Sequence, residues 1–237
     1  QRAIVKEYQT VTDRIKLNEQ LNKKLEETAQ ALYVHWFERV TDDVTNDIYL
    51  KDLVDQSKET LNPLKSNFDV LEHYSIPSYD ATGLPTVENT NAIRSNKYKV
   101  VSNSILLSKL NPRFSRVWNI YGLAKDNAVC STEFLVFVPK DIEHFSYLYF
   151  TLKSENSIKY FSSMATGTSN SHQRIKPDEI LQLPILNYSK NKAFEFSKKT
   201  LPFLKRVRLN LNEIVKLTEL RSIILSQMSK IGSPDTE

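Results

Sequence analysis

The feature that most constrains this chain is a seven-residue apolar repeat at each end. Near the start, Ile4, Val11, Leu25 and Leu32 share one heptad position, and Tyr8, Ile15, Ala29 and Trp36 share another. Asn18 and Asn22 fall on the same two positions at mid-length. Alternating spacings of three and four mark a helix that pairs along a seam, and a polar residue on that seam costs stability while fixing register and partner. The stretch from about Pro202 to Ile231 repeats the pattern with Leu204, Val207, Leu211, Ile214, Leu217, Ile224, Leu225 and Met228. A helix of about 36 residues spans roughly 54 Å at about 1.5 Å per residue, more than a compact core needs. The two ends therefore read as a paired spacer that holds what lies between them at a set distance. Partner and dimer contacts are expected on Ile4, Tyr8, Val11, Ile15, Asn18, Leu25 and Leu32, and on Leu211, Ile214, Leu217 and Met228.

Between the helices the pattern turns strand-rich. The first helix is expected to end near Phe37 to Arg39, since Thr41-Asp42-Asp43 and Thr45-Asn46-Asp47 are turn-forming. Lys51 to Gln56 reads as a short helical turn, and Ser75 to Pro85, with Pro77, Gly83 and Pro85, as loop or edge strand. Tyr98 to Val101 and Ser104 to Leu107 read as strands joined at Asn103, and Glu133 to Val138 as a strand buried on both faces. Phe145 to Ser154 and Ser157 to Ser163 read as short helices, Pro177-Asp178-Glu179 opens another turn of helix, and Leu183 to Leu186 is extended. The expected class is α+β. It divides into a helix over 1–39, a domain with a mixed or antiparallel sheet over 40–188, a second helix over 189–232 and a tail over 233–237.

Composition excludes several kinds of chemistry. Four glycines cannot build a P-loop or a dinucleotide fingerprint, and four scattered histidines with one cysteine suggest neither a zinc site nor a disulfide. The single Cys130 suits a reducing cytoplasm, no membrane span or signal peptide is expected, and Gln1 in place of Met suggests a fragment or a processed or engineered chain. Asn111-Pro112-Arg113-Phe114 approaches the Asn-Pro-Pro-Phe/Tyr of DNA amino-methyltransferases, but Arg113 replaces the second proline and no glycine-rich donor loop precedes it. Asp141, Glu143, Asp178 and Glu179 lack nuclease spacing. An enzyme is not expected.

Net charge is only +4, yet Arg94, Lys97, Lys99, Lys109, Arg113 and Arg116 lie in a run without a single Asp or Glu, whereas Asp42 to Glu59 is acidic. An acid-free basic run is the footprint of phosphate contact, against the plainer reading of a solvated face. The polar stretch Met164 to Arg174 offers Thr168, Ser169, Asn170, Ser171, His172, Gln173 and Arg174 beside a hinge at Gly167. Asn, Gln and Arg suit base edges, and Ser and Thr suit phosphates; the alternative is a turn held by local Asx bonds. Tyr79, Tyr98 and Trp118 are expected mainly in the core.

Five segments in order resemble one family. QRAIVKEYQTVTDRIKLNEQLNKKLEETAQALYVHWF is similar to the central conserved helix of the DNA-specificity (S) subunit of type I restriction-modification systems. SNKYKVVSNSILLSKLNPRFSRVW, CSTEFLVFVP and ATGTSNSHQRIKPDEILQLPI resemble successive pieces of its target-recognition domain, and NEIVKLTELRSIILSQMSKIG its second conserved helix. S subunits usually hold two recognition domains, so the chain resembles a C-terminal half; SKNKAFEFSKKTLP replaces the Pro-Pro and Glu-Gln sequence often found before the last helix.

The resemblance implies an antiparallel coiled coil of the two helices and a non-catalytic subunit bound to double-stranded DNA and to methyltransferase subunits, and possibly a restriction subunit. It also implies a second copy or a missing N-terminal half as partner. S-adenosylmethionine and ATP with Mg would sit on partner subunits only. Lys97, Lys99, Lys109 and Arg116 would hold phosphates. Asn111, Arg113, Asn170, His172, Gln173 and Arg174 would face bases or a groove. The reading that competes with it is a helical adaptor whose sheet domain binds a protein or peptide.

Overall fold

The computed structural model describes residues 2–39, 48–122, 125–167 and 173–232. The turn expected at Thr41 to Asp47, the loop residues Thr168, Ser169, Asn170, Ser171 and His172, and the tail over 233–237 lie outside them. Compactness divides the chain into two units, one of Gln1–Thr28 with Phe203–Glu237 and one of Ala29–Pro202. The second boundary falls at a proline inside a helix, where the ring removes the N–H that would bond the Lys198 carbonyl.

The first unit is a helix pair. Helix α1, Arg2–Tyr33, continues through a wider π-type turn, Val34–Glu38, to the expected end. Within the unit, Arg14 meets Glu213 at 2.9 Å and Asn210 Nδ2 donates to Asn22 Oδ1 at 2.8 Å. Rising numbers on one helix meet falling numbers on the other, so the two run antiparallel within one chain. Arg14, with help from Asn18, holds the Glu213 carboxyl below its ordinary range. Ile15, Asn18, Leu204, Val207, Asn210 and Ile224 are buried on the seam, and Ile4, Tyr8, Val11, Leu25, Leu211, Ile214, Leu217 and Met228 are half-buried. Leu225, placed on the seam from sequence, is exposed instead: Ile224 takes the inward position, and a neighbour one residue on points some 100° away around the helix.

In the second unit, helix α2 (Leu50–Leu53) passes directly into strand β1 (Val54–Ser57), so only the first part of the expected helical turn at Lys51 to Gln56 is helical. Then follow β2 (Thr60–Leu61), β3 (Val70–Tyr74) and helix α3 (Ile76–Thr82). Helix α3 replaces the expected loop or edge strand. Ser75 and Ser78 cap each other reciprocally, Pro77 lies in the first turn where its missing N–H costs nothing, and Gly83 closes the end at φ +65°. The remaining strands are β4 (Thr86–Asn89), β5 (Lys97–Lys99), β6 (Ile105–Ser108), β7 (Val117–Asn119), β8 (Ala128–Cys130) and β9 (Phe134–Pro139). Asn103 turns the chain between β5 and β6 at φ +60°. Helices α4 (Phe145–Lys153), α5 (Glu155–Met164) and α6 (Pro177–Leu181) complete the module before α7, Lys190–Gly232.

The class is α+β, with two sheets where one was expected. One is antiparallel in the order β1-β9-β6-β7; the other is mixed, in the order β2-β5-β8-β3-β4, with β3 parallel to β8. β9 lies inside the first sheet, and Phe134 to Phe137 are buried on both faces, as its unbroken apolar run requires. A core cluster joins the sheets: Tyr74 and Cys130 from the mixed one meet Leu106, Trp118, Phe134 and Val136 from the antiparallel one. Tyr79 and Tyr98 pack against it half-buried. A second cluster of rings unites Tyr33, Phe37, Tyr147 and Phe196, with Phe37 at 4.7 Å from Tyr147 and 5.6 Å from Phe196. There the start of α7 is fastened to α4 by the Ser146–Thr200 hydroxyl pair and by Tyr147 N–H donating to Ser197 Oγ.

Candidate nucleic-acid interface

Three loops converge at one end of β6, β7 and β9. Ser108 of β6 lies opposite Phe134 of β9, so the loop after β6 and the one before β9 start side by side. Lys109 N–H donates to the Glu133 carbonyl at 2.8 Å, and Ile175 N–H donates to the Lys109 carbonyl. Asn111 N–H donates to the Gln173 carbonyl at 2.8 Å, and Gln173 N–H returns a bond to Asn111 Oδ1. Thr166 and Arg174 exchange two backbone bonds of 2.9 Å, closing the neck of the polar stretch. The basic run and the polar loop, far apart in sequence, thus share one backbone network. Pairing of β6 with β9 sets Lys109 beside Glu133, and an antiparallel bridge between Leu110 and Arg174 brings the polar loop to them.

The expected site residues then separate. Arg113 is exposed and Lys109 half-buried, both on this surface. Asn111 is half-buried at φ +49°, with backbone and side chain holding Gln173, so both residues brace the loop. Arg174 is exposed and binds Glu133 through Nε at 3.1 Å and Nη2 at 2.9 Å. Arg116 is similarly forked onto Asp80 of α3, at 2.7 and 2.8 Å, with a side chain only 14% exposed.

Away from these loops, Lys99 pairs with Glu59. Lys97 is a correction to its expected phosphate role, because it is buried and its ammonium donates to Ser95. Burial lowers its pKa, opposed by the charge of Glu88. Glu88 is itself held low: burial works against ionisation, but hydrogen bonds from Thr86 and His73 outweigh it.

The run that is free of acids in sequence is therefore partly neutralised in space, since Glu59 and Asp80 arrive from other segments to pair with Lys99 and Arg116. The exposed side chain of Arg113 and the half-buried one of Lys109 lie at the converging loops beside the Arg174–Glu133 pair. Phe114, which was not singled out in sequence, is 49% exposed on the same loop, with the guanidinium carbons of Arg113 and Arg116 at 4.8 and 5.2 Å from its ring centre. The signal available was an aromatic with Arg one residue before and two after.

Burial pushes the Cys130 thiol up to about 12, far from a neutral-pH nucleophile. Among the described residues no group of three or more His, Cys, Asp or Glu could hold a metal, and no helix is long and apolar enough to cross a membrane.

No family sequence model and no curated protein matches the chain. Solved structures do. The S subunit of the type I restriction-modification system from M. genitalium superimposes with a TM-score of 0.54 at 13% identity, over 94% of this chain and 57% of that one. The chain has the fold of a type I S subunit. The HsdS subunit from Thermoanaerobacter tengcongensis is similar at 14% identity and a TM-score of 0.43, over 95% of this chain and 57% of that one. A chain from a type I R-M system, described for its complex assembly and conformational transition, is similar at 15% identity and a TM-score of 0.48, over 95% and 58%. These last two superpositions are too loose to add weight. This chain spans little more than half the length of each of these neighbours.

Proposed function

We propose that this chain is a non-catalytic DNA-specificity component of a type I restriction-modification complex. Its sheet module reads one half of a bipartite duplex target, and its helix pair serves as spacer and as docking surface for methyltransferase subunits. The observation that carries this reading is the convergence of the Lys109 to Arg116 loop with Gln173 and Arg174, on the fold of an S subunit. Arg113 and Arg174 would meet base edges, Lys109 phosphates, and Asn111 and Gln173 would fix the loops; Asn170 and His172 remain candidates for the groove. Because the chain covers 57% of the S-subunit neighbour, its other half would be a second copy or a missing N-terminal half. Two identical readers related by a twofold would require an interrupted palindrome.

The adaptor reading draws on the helix pair, where Val5, Leu17, Leu209, Leu220, Ile223 and Leu225 are exposed. In an S-subunit reading the same side chains would meet the methyltransferase or the second half. Salt dependence separates the two. Duplex affinity of this chain is expected to fall steeply with salt, and Lys109→Ala to flatten the slope by about 0.9 on a log–log plot, the loss of one phosphate contact. Lys99→Ala, whose charge Glu59 already balances, is expected to change it far less. Duplex binding that is absent or insensitive to salt would favour the adaptor.

A further inference from the structure

We infer that Asp80, Arg116 and Phe114 form a stack whose purpose is to position the guanidinium of Arg113 for base recognition; this rests on the DNA-reading proposal above. The stack is built outward from a rigid element. Asp80 lies on α3, which is closed at one end by the Ser75–Ser78 cap and at the other by Gly83. It takes Arg116 in a two-bond fork, and Tyr79 from the same helix reaches the Ser115 carbonyl at 3.4 Å. Arg116 Nη1 is buried without a hydrogen-bond partner among the described residues, so this guanidinium is turned inward rather than offered to a phosphate.

The guanidinium carbons of Arg116 and Arg113 both lie over the Phe114 ring, at 5.2 and 4.8 Å from its centre. Its backbone is pinned as well: Phe114 N–H donates to the Asn111 carbonyl at 2.9 Å across a turn with buried Pro112, and Asn111 is tied to Gln173 on both sides. A guanidinium lying on an aromatic face keeps its N–H donors in its own plane, directed outward. That is the geometry in which Arg forks onto the O6 and N7 of guanine. Phe114 is 49% exposed and does not belong to the core cluster that joins the two sheets.

The test is selection from random duplex DNA with the unaltered chain and with Arg113→Ala, Phe114→Ala, Phe114→Trp, Phe114→Leu and Asp80→Ala, each first shown to melt as the unaltered chain does. Arg113→Ala is expected to reduce discrimination at one base pair by about fivefold or more. Phe114→Ala is expected to lose preference at that same pair, Asp80→Ala to lose it less fully, and Phe114→Trp to retain it. Phe114→Leu fills similar space without a π face and is expected not to rescue. The salt slope stays unchanged with Phe114→Ala, because no phosphate contact is removed. The stack is overturned if Phe114→Ala keeps the full preference, if its loss falls at a different pair from that of Arg113→Ala, or if leucine rescues as well as tryptophan. Enrichment of no sequence by the unaltered chain would overturn the DNA reading itself, a separate and recognisable result.

Discussion

Phe37→Ala is expected to lower the unfolding free energy of the Ala29–Pro202 unit by about 3–5 kcal/mol. Phe37 has no exposed surface and touches the rings of Tyr33, Trp36, Tyr147 and Phe196 at centroid distances of 5.3, 6.4, 4.7 and 5.6 Å. Truncation removes the transfer free energy of a phenyl group and leaves a cavity whose walls are themselves large rings, held by the Ser146–Thr200 and Tyr147–Ser197 bonds and unable to collapse inward. Urea unfolding of the full chain, followed by aromatic fluorescence, measures the effect as a shifted midpoint. A loss below about 1 kcal/mol would mean that this cluster is not what joins the helix ends to the sheet module.

Arg174→Ala carries the largest expected effect on recognition, about 1–3 kcal/mol on the selected duplex alone. Its present partner does not compete with that role. The Arg174–Glu133 pair is exposed, at 52% and 28% of the two side chains, and exposed pairs contribute about 0–1 kcal/mol. Exchanging Glu133 for a base edge is therefore affordable, and the pair stores the guanidinium in a forked geometry near the backbone bridge with Thr166. The melting temperature should hardly change, since Arg174 is exposed and lies outside the core cluster that joins the sheets. Competitive binding to the selected duplex and to a scrambled one measures the difference. An equal loss on both would make Arg174 a phosphate contact rather than a reader.

How much was legible from sequence follows from how each feature is encoded. The end helices were legible because a spacing of three and four repeated over many turns is a long-range signal that no single substitution erases. β9 was legible from its unbroken apolar run. Helix α3 was not, because Pro77, Gly83 and Pro85 count as breakers one at a time, whereas Pro77 in a first turn and Gly83 at a C-terminal cap punctuate a helix rather than prevent it. β2, β7 and β8, of two or three residues, depend on partners far away in sequence and carry too little local pattern to be seen.

The site was half legible for a related reason. Residue type marked Arg113, Asn111 and Arg174, but charge balance is a property of space. Nothing near Lys99 or Arg116 in sequence announces Glu59 or Asp80. Phe114 carries no sign of its surroundings in sequence, because nothing local shows that Arg113 and Arg116 both come over its ring.

The most direct measurement is enrichment of sequences from random duplex DNA by the purified chain. The expected result is a defined half-site, or two copies of it in an interrupted palindrome if the chain pairs with itself. Enrichment of no sequence, with any duplex binding equal on all DNA, would contradict the proposal that this chain supplies specificity.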